Sequence, residues 1–217
     1  MEIASIALIV SGCALAVSLL TLWLTLLRRG TLRMTQPTQF FLGPDGSEHT
    51  GSHKIFLRTL LYSTAKRGHV IESMHVQVSH GETKITYPIW VFGDRHLSRG
   101  SGLLVSEQGV VANHHFLRPA DSVDQPLTAG EYAISIFSKL VGEVTPRHLN
   151  TTTISISDSH AKALTSPRAG IYFDWGPESQ RYIAHVPTKA PEQMPRELMD
   201  ILKNLRQPGD EVIEKDL

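Results

Sequence analysis

Most of the marks by which a sequence announces a biochemical activity are missing from this one. There is a single cysteine, Cys13, in 217 residues, so the chain has no disulfide framework and no CxxC motif. Charge of one sign is not in excess: 21 Lys and Arg stand against 21 Asp and Glu, which excludes the basic footprint of a nucleic-acid binder. The spacings HExxH and GxSxG do not occur, and no glycine-rich phosphate loop leads from a strand into a helix.

Charge is scarcest between Ile3 and Leu27, 25 consecutive residues without a formal charge. At about 1.5 Å per residue a helix of that length spans about 37 Å, more than the roughly 30 Å of a hydrocarbon core. A cleaved signal peptide would need a basic start, a shorter apolar core and a small-x-small cleavage site. Here Glu2 is the only charged side chain before the run, and Trp23 to Leu27 leads straight into Arg28 and Arg29. Residues 1–29 are therefore expected to stay as a membrane anchor. Arg28, Arg29 and Arg33 follow the run and no Lys or Arg precedes it, which predicts an N-out, C-in orientation with the soluble part in the cytoplasm. These three should touch anionic head groups, each contributing about 1 kcal/mol. Cys13 lies inside the run, so the soluble part shows no adaptation to an oxidising compartment.

The anchor also carries a pattern. Ala4, Ala7, Ser11, Ala14, Ser18, Thr21 and Thr25 follow an alternating three-four spacing, which puts seven small or hydroxylated residues on one seam. Such seams let membrane helices approach closely, and hydroxyls can bond across the contact. They also occur simply because small residues are common in membrane helices. The expected partners are thus the lipid bilayer and another membrane helix, or a second copy of this one.

Past Arg33, period-two alternation replaces the apolar run. The 187 residues from Thr31 onward hold 19 basic and 20 acidic residues, a net charge of −1. Residues 30–37 read as a linker and 38–189 as one domain. Phe40 to Leu42 ends at the turn Gly43-Pro44-Asp45-Gly46. Ile55 to Tyr62 is apolar on both faces except for Arg58, as expected of a central strand. From His69 to Ser79, Val70, Met74, Val76 and Val78 are expected on one face and His69, Ser73, His75 and Gln77 on the other. Ile85, Tyr87, Ile89 and Val91 repeat the pattern, with Pro88 demanding an edge or a bulge. Further strands are expected at 103–105, 110–116, 132–141 and 152–157, a short helix over 158–164 capped by Ser157 or Asp158, and a hairpin of 171–175 with 182–186. Strand starts about ten residues apart, joined by short turns, indicate an antiparallel β-sandwich of mainly β class. Gly130-Glu131-Tyr132 before an alternating run resembles a penultimate strand of immunoglobulin-like sandwiches, in which the Tyr hydroxyl anchors a corner. At the C-terminus, Leu198, Ile201, Leu202 and Leu205 share one face of a helix over 190–207, and 208–217 is an acidic tail.

Eleven histidines make metal the first chemistry to consider, but their spacing is wrong for it. His114 and His115 on a strand point to opposite faces, and His49 and His53 lie in loop sequence rather than on a helix. No catalytic, cofactor or metal residues are assigned. In Gly170 to Pro177, alternation sends Ile171, Phe173 and Trp175 inward and Tyr172 and Asp174 outward.

Residues 22–25 (Leu-Trp-Leu-Thr), 27–30 (Leu-Arg-Arg-Gly), 34–38 (Met-Thr-Gln-Pro-Thr) and 41–46 (Phe-Leu-Gly-Pro-Asp-Gly) together resemble an uncharacterised family of bacterial single-pass membrane proteins. The likeness is strongest over 20–62 and extends loosely to 170–177. It implies a bacterial inner-membrane location and an anchor-plus-domain plan, and brings no activity with it. The reading that follows is a non-enzymatic, membrane-tethered interaction or scaffolding module. Its rival is a ligand-binding sensor or hydrolase with a pocket around His114, His115 and Asp174, which requires those three side chains to converge.

Overall fold

The computed structural model describes residues 2–28, 30–44, 53–94, 96–100, 102–119, 127–166 and 169–187. The helix expected over 190–207 and the acidic tail of 208–217 lie outside the described residues. Helix α1 (Glu2–Leu22) continues as one π turn over Trp23–Leu27, closed by the Arg28 N–H on the Trp23 carbonyl at 2.9 Å. Apart from Gly12 it contains no residue with a strong bias against helix. Residues 3–27 have a mean hydropathy of 2.4 and none of the apolar window is buried. By length and composition the helix is long and apolar enough to cross a membrane.

Two antiparallel sheets follow. In the larger one, β2 (Gln39–Pro44) and β9 (Val110–Leu117) flank the central β3 (His53–Ser63), and β6 (Ile89–Phe92) with β7 (Ser98–Arg99) extends it beyond β9. The hairpin β12 (Ile171–Gly176) and β13 (Arg181–His185) extends it beyond β2. The smaller sheet has the order β11 (Arg147–Ile156), β10 (Gly130–Leu140), β4 (His69–His80), β5 (Thr83–Tyr87), with β8 (Leu103–Val105) beside β4. Helix α2 (Asp158–Leu164) joins the sheets and is capped by Ser157, whose Oγ accepts from the His160 N–H at 3.2 Å. The core lies between the sheets: Phe40, Leu42, Ile55, Leu57, Phe116 and Phe173 on one side, Met74, Val76, Ile134 and Ile136 on the other. This is the expected β-sandwich. The arginine-interrupted apolar stretch at 55–62 is indeed the central strand.

Three local expectations are corrected. Leu32–Met34, assigned to the linker, is strand β1 on the upper part of β3, with Leu32 opposite Ser63 and only 5% exposed. Pro37 explains why β1 and β2 are separate pieces along one neighbour, since it has no N–H for the ladder; Thr35 and Thr38 donate to Leu60 and Arg58 on either side of it. Val70, assigned inward, points out, and Ile71 takes its place in the core at 0% exposure. The register against β10 slips between Lys139 and Leu140, leaving Glu72 as an extra residue, and a one-residue bulge exchanges the faces of all that lies beyond it. The alternation expected to run on from Ile85 to Val91 breaks at Pro88, which does follow an edge strand, β5 being outermost in the smaller sheet. Pro88 is the corner where the chain leaves the smaller sheet at Tyr87 and enters the larger at Ile89, so that Trp90 rather than Val91 faces Phe116 across the pair.

Tyr132 does what its sequence context predicts. Its hydroxyl accepts from the Thr128 N–H at 3.0 Å and donates to the Thr128 carbonyl at 2.9 Å, tying down the entry to β10. The glycine two residues earlier is dictated by crowding: a Cβ on Gly130 would lie 2.4 Å from the His80 ring, which stacks on Tyr132 at 4.4 Å.

Candidate functional site

Where the helix meets the sandwich, the chain is held rather than loose. The Thr31 N–H donates to Thr64 Oγ1 at 2.8 Å, and the Thr64 N–H to the Thr31 carbonyl at 3.0 Å. Gly30 makes this possible with φ +64°, where a Cβ would fall 2.6 Å from that of Ala65. The β3–β4 turn therefore sits beside the helix end, and its exposed Lys66 and Arg67 share an open cleft with Thr25 and Leu26. Arg28 and Arg33 are exposed at the same end, and Arg29 lies outside the described residues. Lys66 and Arg67 were missed by sequence reasoning because they are over thirty residues downstream; only the pairing of β1 with β3 returns the chain to the helix.

Along the helix, the seam residues Ala4, Ala7, Ser11, Ala14, Ser18 and Thr21 lie on α1 and Thr25 on the π turn that follows it. The hydroxyls of the seam's second half are already occupied: Ser18 donates to Ala14 O at 2.9 Å, Thr21 to Val17 O at 2.8 Å and Thr25 to Thr21 O at 2.7 Å. A seam built this way offers close approach of backbones first, and hydroxyl bonding only after a bond back to its own helix is given up.

His114, His115 and Asp174 are not brought together. His114 is fully buried between the sheets, where the Trp90 indole N–H donates to its Nδ1 at 3.0 Å. That bond requires an unprotonated Nδ1, and burial pushes the imidazole pKa down to about 4. His115 lies on the opposite face of β9, packed on Phe56 at 5.1 Å. Its pKa is pushed down to about 3 by burial, then by the Lys54 and His114 charges. Asp174 shares that outer face but stands on β12, three strand spacings from β9 across β2 and β3, or about 14 Å. Its carboxylate is engaged locally, by Gln39 Nε2 at 2.7 Å and His185 Nδ1 at 3.2 Å. Beside it runs a second polar group, in which Arg58 reaches Asn113 Oδ1 at 3.0 Å and Asp94 Oδ1 at 3.4 Å. Among the described residues, no group of three or more His, Cys, Asp or Glu is arranged to hold a metal ion.

No family model matches the chain, and no curated protein matches it either. Among solved structures it is similar to the CooA pilin subunit from enterotoxigenic Escherichia coli, at 12% identity and a TM-score of 0.30, over 58% of this chain and 97% of that one. A likeness at that level bears on neither fold nor function.

Proposed function

We propose that this protein is a single-pass membrane protein of the bacterial inner membrane whose β-sandwich is a tethered, non-enzymatic interaction module on the cytoplasmic side. The observation that carries the reading is the helix over residues 3–27, without a formal charge and with none of its apolar window buried by its own domain. A surface of that size in water would be a large liability; in lipid it is at home. The Arg28 to Arg33 cluster after the helix favours the N-out orientation, and the sequence resemblance supports the inner membrane. The strand order favours an immunoglobulin-like arrangement, since β2, β3, β9, β6 and β11, β10, β4, β5 follow the A-B-E-D and G-F-C-C′ order of that class. The rival pocket reading loses its geometric basis with the separation of His114, His115 and Asp174.

Alkaline carbonate extraction, followed by protease digestion of sealed vesicles of both orientations, tests the proposal. The chain should remain with the membranes, and the domain should be degraded only in inside-out vesicles. Release by carbonate would remove the anchor, and digestion confined to right-side-out vesicles would reverse the orientation.

A further inference from the structure

At the end of the sandwich nearest the helix, four aliphatic side chains face outward. Val144 is 91% exposed, Leu104 63%, Val141 62% and Val70 40%. They come from three separate parts of the chain: Val70 and Leu104 are directly opposed across β4 and β8, the Val141 N–H donates to the Val70 carbonyl at 3.0 Å, and Val144 follows three residues on in the β10–β11 turn. The bulge at Glu72 is what turns Val70 outward to join them. Of the nearby acids, Glu143 and Glu72 are paired with Arg147 and Lys139, while Glu107 in the β8–β9 turn is exposed, as are Lys66 and Arg67 at the tip of the adjoining turn.

We propose that this end of the sandwich is itself a lipid-contact surface, with Val70, Leu104, Val141 and Val144 entering the interfacial layer of an anionic bilayer and Lys66 and Arg67 against its phosphates. The inference rests on the membrane-anchored reading of the helix. Position is the first argument. Thr31 is bonded to Thr64 in the turn that bears both cations, and the four residues from Leu27 to Thr31 reach at most about 14 Å, so the turn cannot leave the neighbourhood of the head groups. Composition is the second. Protein-binding hot spots are rich in Trp, Tyr and Arg, while an aliphatic cluster bordered by basic side chains is the pattern of surfaces that lie in a membrane interface.

The full chain with Cys13→Ser, reconstituted in phosphatidylcholine vesicles with and without phosphatidylglycerol, provides the test. A nitroxide is attached either at Val144→Cys or, as a control at the opposite end, at Glu82→Cys in the β4–β5 turn, and its collisions with a water-soluble nickel chelate and with oxygen are measured. The Val144 probe should lose nickel collisions and gain oxygen collisions in phosphatidylglycerol vesicles, the Glu82 probe should stay open to water, and Lys66→Glu with Arg67→Glu should reopen position 144. Release of the chain by carbonate would remove the anchoring reading and this inference with it. Retention with both probes equally open to water would overturn the inference alone, and so would shielding of position 144 in detergent that fades on dilution, which would assign the patch to a second copy.

Discussion

His114 and His115 are neighbours in sequence and strangers in space, and each has a consequence for stability. Burial holds both imidazoles neutral, so the unfolded chain, with an ordinary value of 6.5, takes up protons that the folded chain refuses. Stability is complete above about pH 7 and falls as the pH drops below 6.5, because the unfolded state then binds more protons. For His114, with a folded value of about 4, the loss approaches about 3 kcal/mol by pH 4. His115 adds to it down to about pH 3. Thermal unfolding in detergent should therefore show a melting temperature clearly lower at pH 4.5 than at pH 7.5, and His115→Phe should flatten the slope by about one proton. A melting temperature unchanged over that range would contradict the burial assignment. Period-two reasoning was enough to send the two rings to opposite faces, because that follows from strand geometry alone. Which ring entered the core was not legible, because it depends on Trp90, whose inward direction is set by the sheet change at Pro88. Tyr132 was legible for the opposite reason: its partner Thr128 is only four residues away. Its removal as Tyr132→Phe should cost about 1 kcal/mol, seen as a melting temperature lower by about 3 °C.

Elements defined by local pattern were read correctly, and those defined by a distant partner were not. The apolar run that became β3 and the segments that became β4, β9 and β10 carry their own signal, as do the cap and turn chemistry of α2 and the β12–β13 hairpin. Strand β1, three residues ending ahead of Pro37, has no period to detect and exists because half of β3 would otherwise have an unpaired edge. The bulge at Glu72 is equally silent, since a single inserted residue looks like a change of phase only once the partner strand is known. For the helix, the seam makes a prediction of its own. Ile at Ser11 and Ser18 should weaken association of the helix in a membrane two-hybrid assay, while Ile at Ala16, off the seam, should not. Because Ser18 already bonds to Ala14 O, replacing Ser18 with Ala should have little effect next to Ile. Equal signals from the seam and off-seam Ile variants would discount the seam.

For the molecule as a whole, the core lies between the two sheets, with Leu127 and Leu164 added from the connections, and α1 contributes nothing to it. Deleting residues 1–29 should therefore yield a water-soluble, cooperatively folded domain. Deleting residues 1–35 should not be equivalent, since it also removes β1 and the buried Leu32, a side chain whose burial is worth about 2 kcal/mol; its melting temperature should be lower by at least about 5 °C. Equal melting temperatures for the two would return residues 30–35 to the status of a linker. The pinned junction also sets a scale. The longest strands run 11 or 12 residues, about 40 Å of extended chain, and on the anchored reading proposed above the β3–β4 turn at one end of them lies within a few residues of the bilayer. On that reading the sandwich works as a gauge of height: a partner held at its far end would have to present its binding surface no more than about 40 Å above the membrane, and one whose site stands taller would be out of reach however well its chemistry matched.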